Sequence, residues 1–214
     1  MQPVWELPLL AGGIEIELPS HGRVRIRPVR EDDDDLINDA YERMSERSRY
    51  MRFFSARSKL SPQLVESLTD IDHTTHFGWL IQDPDTKSEI DNEGCGLVTG
   101  AARLILDDDP TSAEASLALV DGYQGRGIGR FMIELLVATA ADVGAEVLRF
   151  EILRSNGAMI GLVRKMGGTG HAIPGDASVV EYRLPVPAAN ETAVPAGALY
   201  KLLRHLAEQR EEEE

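Results

Sequence analysis

The sequence predicts an α+β fold, a mixed and mostly antiparallel sheet flanked by helices. Three observations carry this. Strand-like stretches follow one another after Phe77 with no helix between them, which favours antiparallel pairing. A strand–helix–strand unit spans Ser112 to Leu153, which favours a parallel crossover. The element order β-α-α-β-β-β-α-β-α-β departs from the regular alternation of a doubly wound sheet.

Residues 1 to about 22 are rich in Pro and Gly and read as an arm, with one strand around Ile14 to Leu18. In Arg23 to Arg30, Val24 and Ile26 alternate with arginines, the pattern of a half-buried strand closed by Pro28. Acidic residues then open a helix, as its dipole favours, and Leu36, Ile37, Ala40, Tyr41 and Met44 share one face. Ser45 to Leu60 reads as a loop. Ser61 and Pro62 start a second helix as N-cap and first helical residue.

Phe77 to Ile81 and Gly94 to Leu106 read as strands joined by a polar loop, and Ser112 to Val120 as a third. A tight turn at Asp121 to Gln124 leads into a helix over Gly127 to Val143. Its apolar ladder is Ile128, Phe131, Met132, Leu135 and Leu136, and Gly144 stops it. Glu146 to Leu153 is a strand, Asn156 to Met166 a helix, and Ser178 to Leu184 the last strand. Pro185 to Pro195 reads as a linker, Leu199 to Gln209 as an amphipathic helix before a glutamate tail.

Composition limits the function. The chain has 214 residues with 43% apolar, enough to bury a core. Its net charge of −14 disfavours general binding to nucleic-acid backbones. Cys95 is the single cysteine, which excludes an internal disulfide or a Cys-rich zinc site and fits a reducing compartment. No stretch approaches ~18 apolar residues, and the N-terminus lacks a basic region followed by an apolar run. A cytoplasmic protein without membrane or nucleic-acid partners is the expectation.

The sharpest local signal is Gln124-Gly-Arg-Gly-Ile-Gly-Arg130 between a strand and a helix. Free amides at a helix start, with the dipole behind them, hold phosphate or pyrophosphate, and Arg126 and Arg130 add charge. A Walker loop needs Gly-Lys-Ser/Thr, which is absent. A dinucleotide fingerprint needs G-x-G-x-x-G in an early unit, but here the spacing is G-x-G-x-G past mid-chain. Gln124, Gly127 and Gly129 fit a third pattern, Gln/Arg-x-x-Gly-x-Gly/Ala. A glycine turn with arginines on a solvated helix start gives the same string.

The chain resembles the GNAT acetyltransferase superfamily, most closely bacterial Pat-type protein lysine acetyltransferases. The segments that carry this are Ile26 to Asp32, Ser48-Arg-Tyr-Met-Arg-Phe-Phe54, Asp72-His73, Ala113-Glu114, Tyr123 to Gly129, and Asn156 to Gly167. The resemblance implies a GNAT domain over 23–186, an arm before it, and linker, helix and acidic tail over 187–214. It implies acetyl-CoA as acyl donor and central strands that splay apart. Leu119, Val120, Gln124, Gly125, Arg126, Gly127, Ile128, Gly129, Arg130 and Asn156 would hold that donor. Some relatives carry a cyclic-nucleotide-binding domain in front; with about 22 residues ahead of the domain, that regulation is not expected within this chain.

The acceptor would be an amine. A lysine of pKa ~10.4 lies about 4.6 kcal/mol from its neutral form near pH 7, so a general base is needed. In the matching motif the glutamate is that base, which makes Glu114 the candidate here; a partly desolvated carboxylate would serve best. An exposed strand glutamate is the plain alternative. An amide near Leu119 would stabilise the oxyanion. Many superfamily members use a tyrosine seven residues after the Asn as acid; that position is Val163, leaving solvent, Tyr123 or Tyr182. Asn156 could equally be a simple N-cap. Arg49, Arg52, Phe53 and Phe54 either shape the acceptor entrance or pack a loop. His73 and His76 are read as structural rather than metal-binding, and Cys95 as a buried small residue. An acidic entrance would suit a cationic lysine segment. Two other readings stay open: a small amine or antibiotic as acceptor, or a non-catalytic acyl-CoA-binding sensor.

Overall fold

The computed structural model describes residues 13–55, 57–91 and 94–187. The first residues of the expected arm, most of the expected linker, the expected helix from Leu199 and the glutamate tail lie outside these residues. The elements in order are β1 (Ile14–Leu18), β2 (Gly22–Pro28), α1 (Asp34–Arg43), α2 (Glu46–Phe53), α3 (Pro62–Thr69), β3 (His76–Asp83), β4 (Leu97–Leu106) and β5 (Ser112–Leu119). A 3-10 turn (Asp121–Tyr123) follows, then α4 (Ile128–Asp142), β6 (Val147–Leu153), α5 (Gly157–Lys165), β7 (Thr169–Ile173) and β8 (Asp176–Pro185).

The strands form one eight-stranded sheet in the order β1-β2-β3-β4-β5-β6-β8-β7. Every neighbouring pair is antiparallel except β5–β6. This is the mixed, mostly antiparallel sheet that the sequence predicts. Alternate residues of a strand face opposite sides. Ala113, Ala115, Leu148, Phe150, Ile152 and Tyr182 therefore point to one side, where they form the main core with Ile128, Met132, Leu135 and Leu136 of α4. Val29, Leu80 and Val98 form a second cluster with Leu36 and Ile37 of α1.

Three elements differ from the sequence expectation. The segment read as a loop contains α2. Its eight residues, Glu-Arg-Ser-Arg-Tyr-Met-Arg-Phe, bury none of themselves, so no apolar stripe announces it. A polar cap starts it instead: the Ser45 hydroxyl accepts the Ser48 amide at 3.1 Å. β7 was not foreseen because this edge strand is almost wholly exposed and shows no alternation. β4 starts at Leu97 rather than Gly94, because Gly96 sits at φ +99° where a Cβ would run into the Asp83 carbonyl, a place for glycine alone.

Candidate active site

β5 and β6 pair only over Ser112–Val147, Ala113–Leu148 and Glu114–Arg149. Beyond Glu114 they diverge, although both continue for several residues. A wedge opens between them, and a groove of about 1180 Å3 fills it. This exceeds the ~300–1,000 Å3 of a site for a drug-sized ligand, as a long, extended ligand requires. Leu117, Leu119, Phe150, Ile152 and Asn156 line it, the glycine turn closes one end, and α2 forms one wall.

Glu114 stands at the apex, the last paired residue before the strands part. Its side chain is exposed, not desolvated as expected for a strong base. Arg149, its register partner on β6, ties the apex shut: its Nε donates to Asp107 at 2.8 Å and its Nη1 to Glu181 at 3.0 Å. The bond from Arg149 holds the Asp107 carboxyl below its usual range, against some opposing burial.

Strand parity decides which β5 backbone faces the wedge. The Thr111 carbonyl accepts from Val147 on β6 (3.1 Å), and the Val120 amide donates to the Thr99 carbonyl on β4 (2.8 Å). Odd-numbered residues thus turn their backbone toward the groove and even-numbered ones toward β4. Leu117 and Leu119 present theirs to the wedge, whereas the Val120 amide is already committed to Thr99.

At the far end Gly125 and Gly127 adopt φ +73° and +85°, and a Cβ on Gly125 would meet nothing within 4 Å. Gly127 is the N-cap of α4 and offers no side-chain cap. Among the described residues no acceptor meets the amides of Ile128, Gly129 and Arg130, while Phe131 already donates to Gly127 at 3.1 Å. Three N–H groups and the dipole of a 15-residue helix therefore converge at the groove's end, which fits a diphosphate. The Ile128 side chain is buried in the core, so only its backbone faces the ligand end. Gln124 turns inward: its Nε2 donates to the Leu119 carbonyl at 3.0 Å and to Ser48 at 3.2 Å. Arg126 lies over the Tyr123 ring and Arg130 pairs with Glu134, both on the surface.

Asn156 is the N-cap of α5, accepting the Met159 amide at 3.1 Å, and it also lines the groove. Its two sequence readings coexist. Val163 is fully buried. Neither tyrosine takes its place: Tyr123 donates to Asp83 at 2.9 Å, and Tyr182 is buried beneath Gly170. Arg49 is a staple, donating to the carbonyls of Tyr41, Glu42 and Ser58, whereas Arg52, Phe53 and Phe54 line the groove. Phe54 holds a left-handed φ of 53°, unusual for so bulky a residue, and keeps its ring exposed on the rim. His73 and His76 lie outside the groove in a turn organised by Asp72, which accepts three amides and the Thr75 hydroxyl. Cys95 is buried, and among the described residues no cluster suited to a metal ion occurs.

Sequence reasoning missed the wall of α2. It expected an acidic entrance, but the lining residues between 41 and 64 include Arg47, Arg52, Arg57 and Lys59 and no carboxylate. Arg52 reaches Ser116 on β5 at 2.8 Å. Desolvation lowers its pKa to about 10, with repulsion from Arg103 adding to the effect and Glu114 opposing it.

A splayed β5–β6 pair with bare helix amides at the mouth defines the class of fold that carries acyl-thioester transferases. The family model described as "Acetyltransferase (GNAT) domain" matches residues 23–169, and the chain belongs to this family. It is 30% identical over 164 residues to the acetyltransferase Pat of Mycolicibacterium smegmatis, covering 76% of this chain and 45% of that protein. An acetyltransferase of Pseudomonas aeruginosa is 26% identical over 170 residues, covering 79% of this chain and 88% of the other. The chain thus spans less than half the length of the mycobacterial relative. Among solved structures, the GNAT domain of S. lividans PAT matches with a TM-score of 0.71 at 23% identity, covering 83% of this chain and 98% of that one. A spermidine N-acetyltransferase from Vibrio cholerae, solved with CoA and spermine, matches with 0.58 at 15% identity, covering 76% and 95%. At these identities the two structures share the fold. Among the described residues no helix is long and apolar enough to cross a membrane.

Proposed function

We propose that this chain transfers an acetyl group from acetyl-CoA to the side-chain amine of a protein lysine, with Glu114 as general base. The observation that carries the reading is where β5–β6 pairing ends: Glu114 stands at the apex of a groove whose other end is the glycine turn. The amides of Ile128, Gly129 and Arg130 hold the diphosphate, with the permissive backbone of Gly125 and Gly127 allowing its close approach. Arg126 adds charge on the turn, and Gln124 fixes the turn to β5 by its bond to Leu119. Leu117 and Leu119 offer backbone groups along the wedge to the pantetheine arm, and Asn156 lines its other side. The thioester carbonyl supplies the electrophile. Glu114 takes a proton from the incoming ammonium, directly or through water, and the neutral amine attacks without a covalent enzyme intermediate. The Leu119 amide lies on the side where the oxyanion forms. The tetrahedral intermediate gives its remaining ammonium proton to solvent and breaks its C–S bond, and the departing thiolate takes a proton from solvent, since Val163, Tyr123 and Tyr182 offer none at the groove. The exposure of Glu114 suits a base that reaches its acceptor through water, and the buried Cys95 suits a cytoplasmic setting.

The substitution Glu114→Gln keeps size and hydrogen bonding and removes the charge. It is expected to lower kcat at least ~10-fold while leaving the Kd for acetyl-CoA within about two-fold. Unchanged turnover removes Glu114 from the chemistry. Incubation with labelled acetyl-CoA and host lysate tests the acceptor: label on protein lysines supports the reading, and label confined to small amines overturns it in favour of a small-molecule acetyltransferase. Binding of acetyl-CoA without transfer to any amine points to a sensor module.

A further inference from the structure

Arg52 and Arg103 stand together without an ion pair among the described residues. Two other arginines that the chain withdraws from water are paired with carboxylates. Arg27 meets Asp33 at 2.6 Å with both side chains 3% exposed, and Arg149 meets Asp107 and Glu181. Arg52 donates to the Ser116 hydroxyl and lies 4.9 Å from the Phe53 ring centre. Arg103 faces the same side of the sheet, opposite Ser116 in the β4–β5 register, and its Nε is buried without a hydrogen-bond partner. Among the described residues no carboxylate comes within ion-pair distance of either. The carboxylate that acts on both through space is Glu114. As general base, Glu114 gives up that charge during each turnover. The positive character continues outward along the same wall through the exposed Arg47, Arg57 and Lys59. Arg47, Arg52, Arg57 and Lys59 line this side of the groove, Arg103 lines the adjoining cavity that Arg52 also borders, and the groove's carboxylates, Glu114, Asp121 and Glu151, come from β5, the turn after it and β6; such a gathering of cations in a chain of net charge −14 is the reverse of what bulk composition favours.

We propose that this wall selects an acceptor carrying an anionic group beside its amine, namely a protein lysine flanked by aspartate or glutamate. The inference rests on the transferase reading above and specifies its acceptor. A lone lysine ammonium is repelled by the wall. An acidic neighbour supplies the counter-charge that Arg52 lacks and draws the segment in. The same cations then favour the neutral amine that attacks, since a nearby positive charge lowers an ammonium pKa. The α-carboxylate of a free amino acid offers the same chemistry from another source.

The test uses peptides with a single lysine flanked by Asp/Glu, by Ser or by Arg, together with free glutamate and spermidine. Acceptor kcat/KM and the KM for acetyl-CoA are measured for the wild type and for the surface double variant Arg57→Glu/Lys59→Glu, whose exposed sites tolerate the change. The acidic-flanked peptide is expected to exceed the Ser-flanked one about 10-fold, with the advantage shrinking as salt rises. The double variant is expected to narrow or invert that order at unchanged KM for acetyl-CoA. Equal use of all peptides, or preference for Arg flanks or spermidine, overturns this inference and leaves the transferase reading standing. A raised KM for acetyl-CoA with the flank order unchanged assigns the wall to the donor's phosphates and overturns it as well. Preference for free glutamate over every peptide overturns the protein source. No transfer at all, with acetyl-CoA bound, overturns both readings.

Discussion

Two helices border the same groove and are held by opposite means. α4, behind the glycine turn, buries ten of its 15 residues. α2, along the side wall, buries none of its eight. α2 is fixed by polar staples instead. Asp121 accepts the Ser45 amide and the hydroxyls of Ser45 and Ser48, Arg49 spans three carbonyls, and Arg52 reaches Ser116. Phe53 adds an apolar contact, set edge-on to Tyr41 at 5.3 Å. Burial is non-directional and large, so it locks a helix against the whole core. Hydrogen bonds near water are individually small and replaceable. In this protein the glycine-turn end of the groove is therefore tied to global stability. The α2 wall, by contrast, can change its charges or its staples with little effect on the core.

The largest effect that would break this contrast is in the core of α4. Leu135 is fully buried, and Leu135→Ala is expected to lower unfolding free energy by about 2–5 kcal/mol in urea titration. A loss under ~1 kcal/mol would mean that α4 is not anchored by burial. Gly127→Ala comes next. Its φ of +85° places an L-residue in the left-handed region, at about 1–2 kcal/mol. A Cβ there would approach Ser20 at 3.6 Å without clash, so the strain is in the backbone alone. The measurement that sharpens the comparison is the acetyl-CoA Kd, which is expected to rise because the twisted turn aims the amides, while the acceptor KM stays put.

The same contrast explains what the sequence could reveal. The ladder of α4, its glycine entry and the parallel unit around it are written in periodicity, because buried faces demand regular apolar spacing. The place of Glu114 on a strand and the Gln124–Arg130 turn into a helix were legible for a related reason, since short motifs carry local geometry. The α2 helix and β7 were not, because neither buries a face. The meeting of Arg52 with Arg103 was hidden more deeply still. They are 51 positions apart, and only the packing of α2 over the β4–β5 pair brings them together. Reading that segment as a loop removed the frame in which its cations form a wall. The expected acidic entrance followed from total charge, which says nothing about placement.

The smallest expected effect tests the staples themselves. Burial opposes ionisation of Asp121, but hydrogen bonds from the Ser45 amide and the Ser45 and Ser48 hydroxyls hold its carboxyl below the usual range. A carboxyl with a depressed folded-state pKa adds stability that is fully present above its unfolded value of ~3.9 and is lost as pH falls through the folded value beneath that. Asp121→Asn removes the contribution at every pH, because an amide cannot accept all three donors. Since the cluster lies at the surface, the deficit at neutral pH is expected to be only about 1 kcal/mol. It is expected to shrink below about pH 4, where wild-type Asp121 protonates and the two proteins converge. The acceptor KM should rise at neutral pH while the acetyl-CoA Kd holds, because Asp121 positions α2 and not the amides of α4. A variant that instead weakens acetyl-CoA binding, or whose deficit persists unchanged into acid, would show that α2 is held by packing after all and that the two helices differ less than their burial suggests.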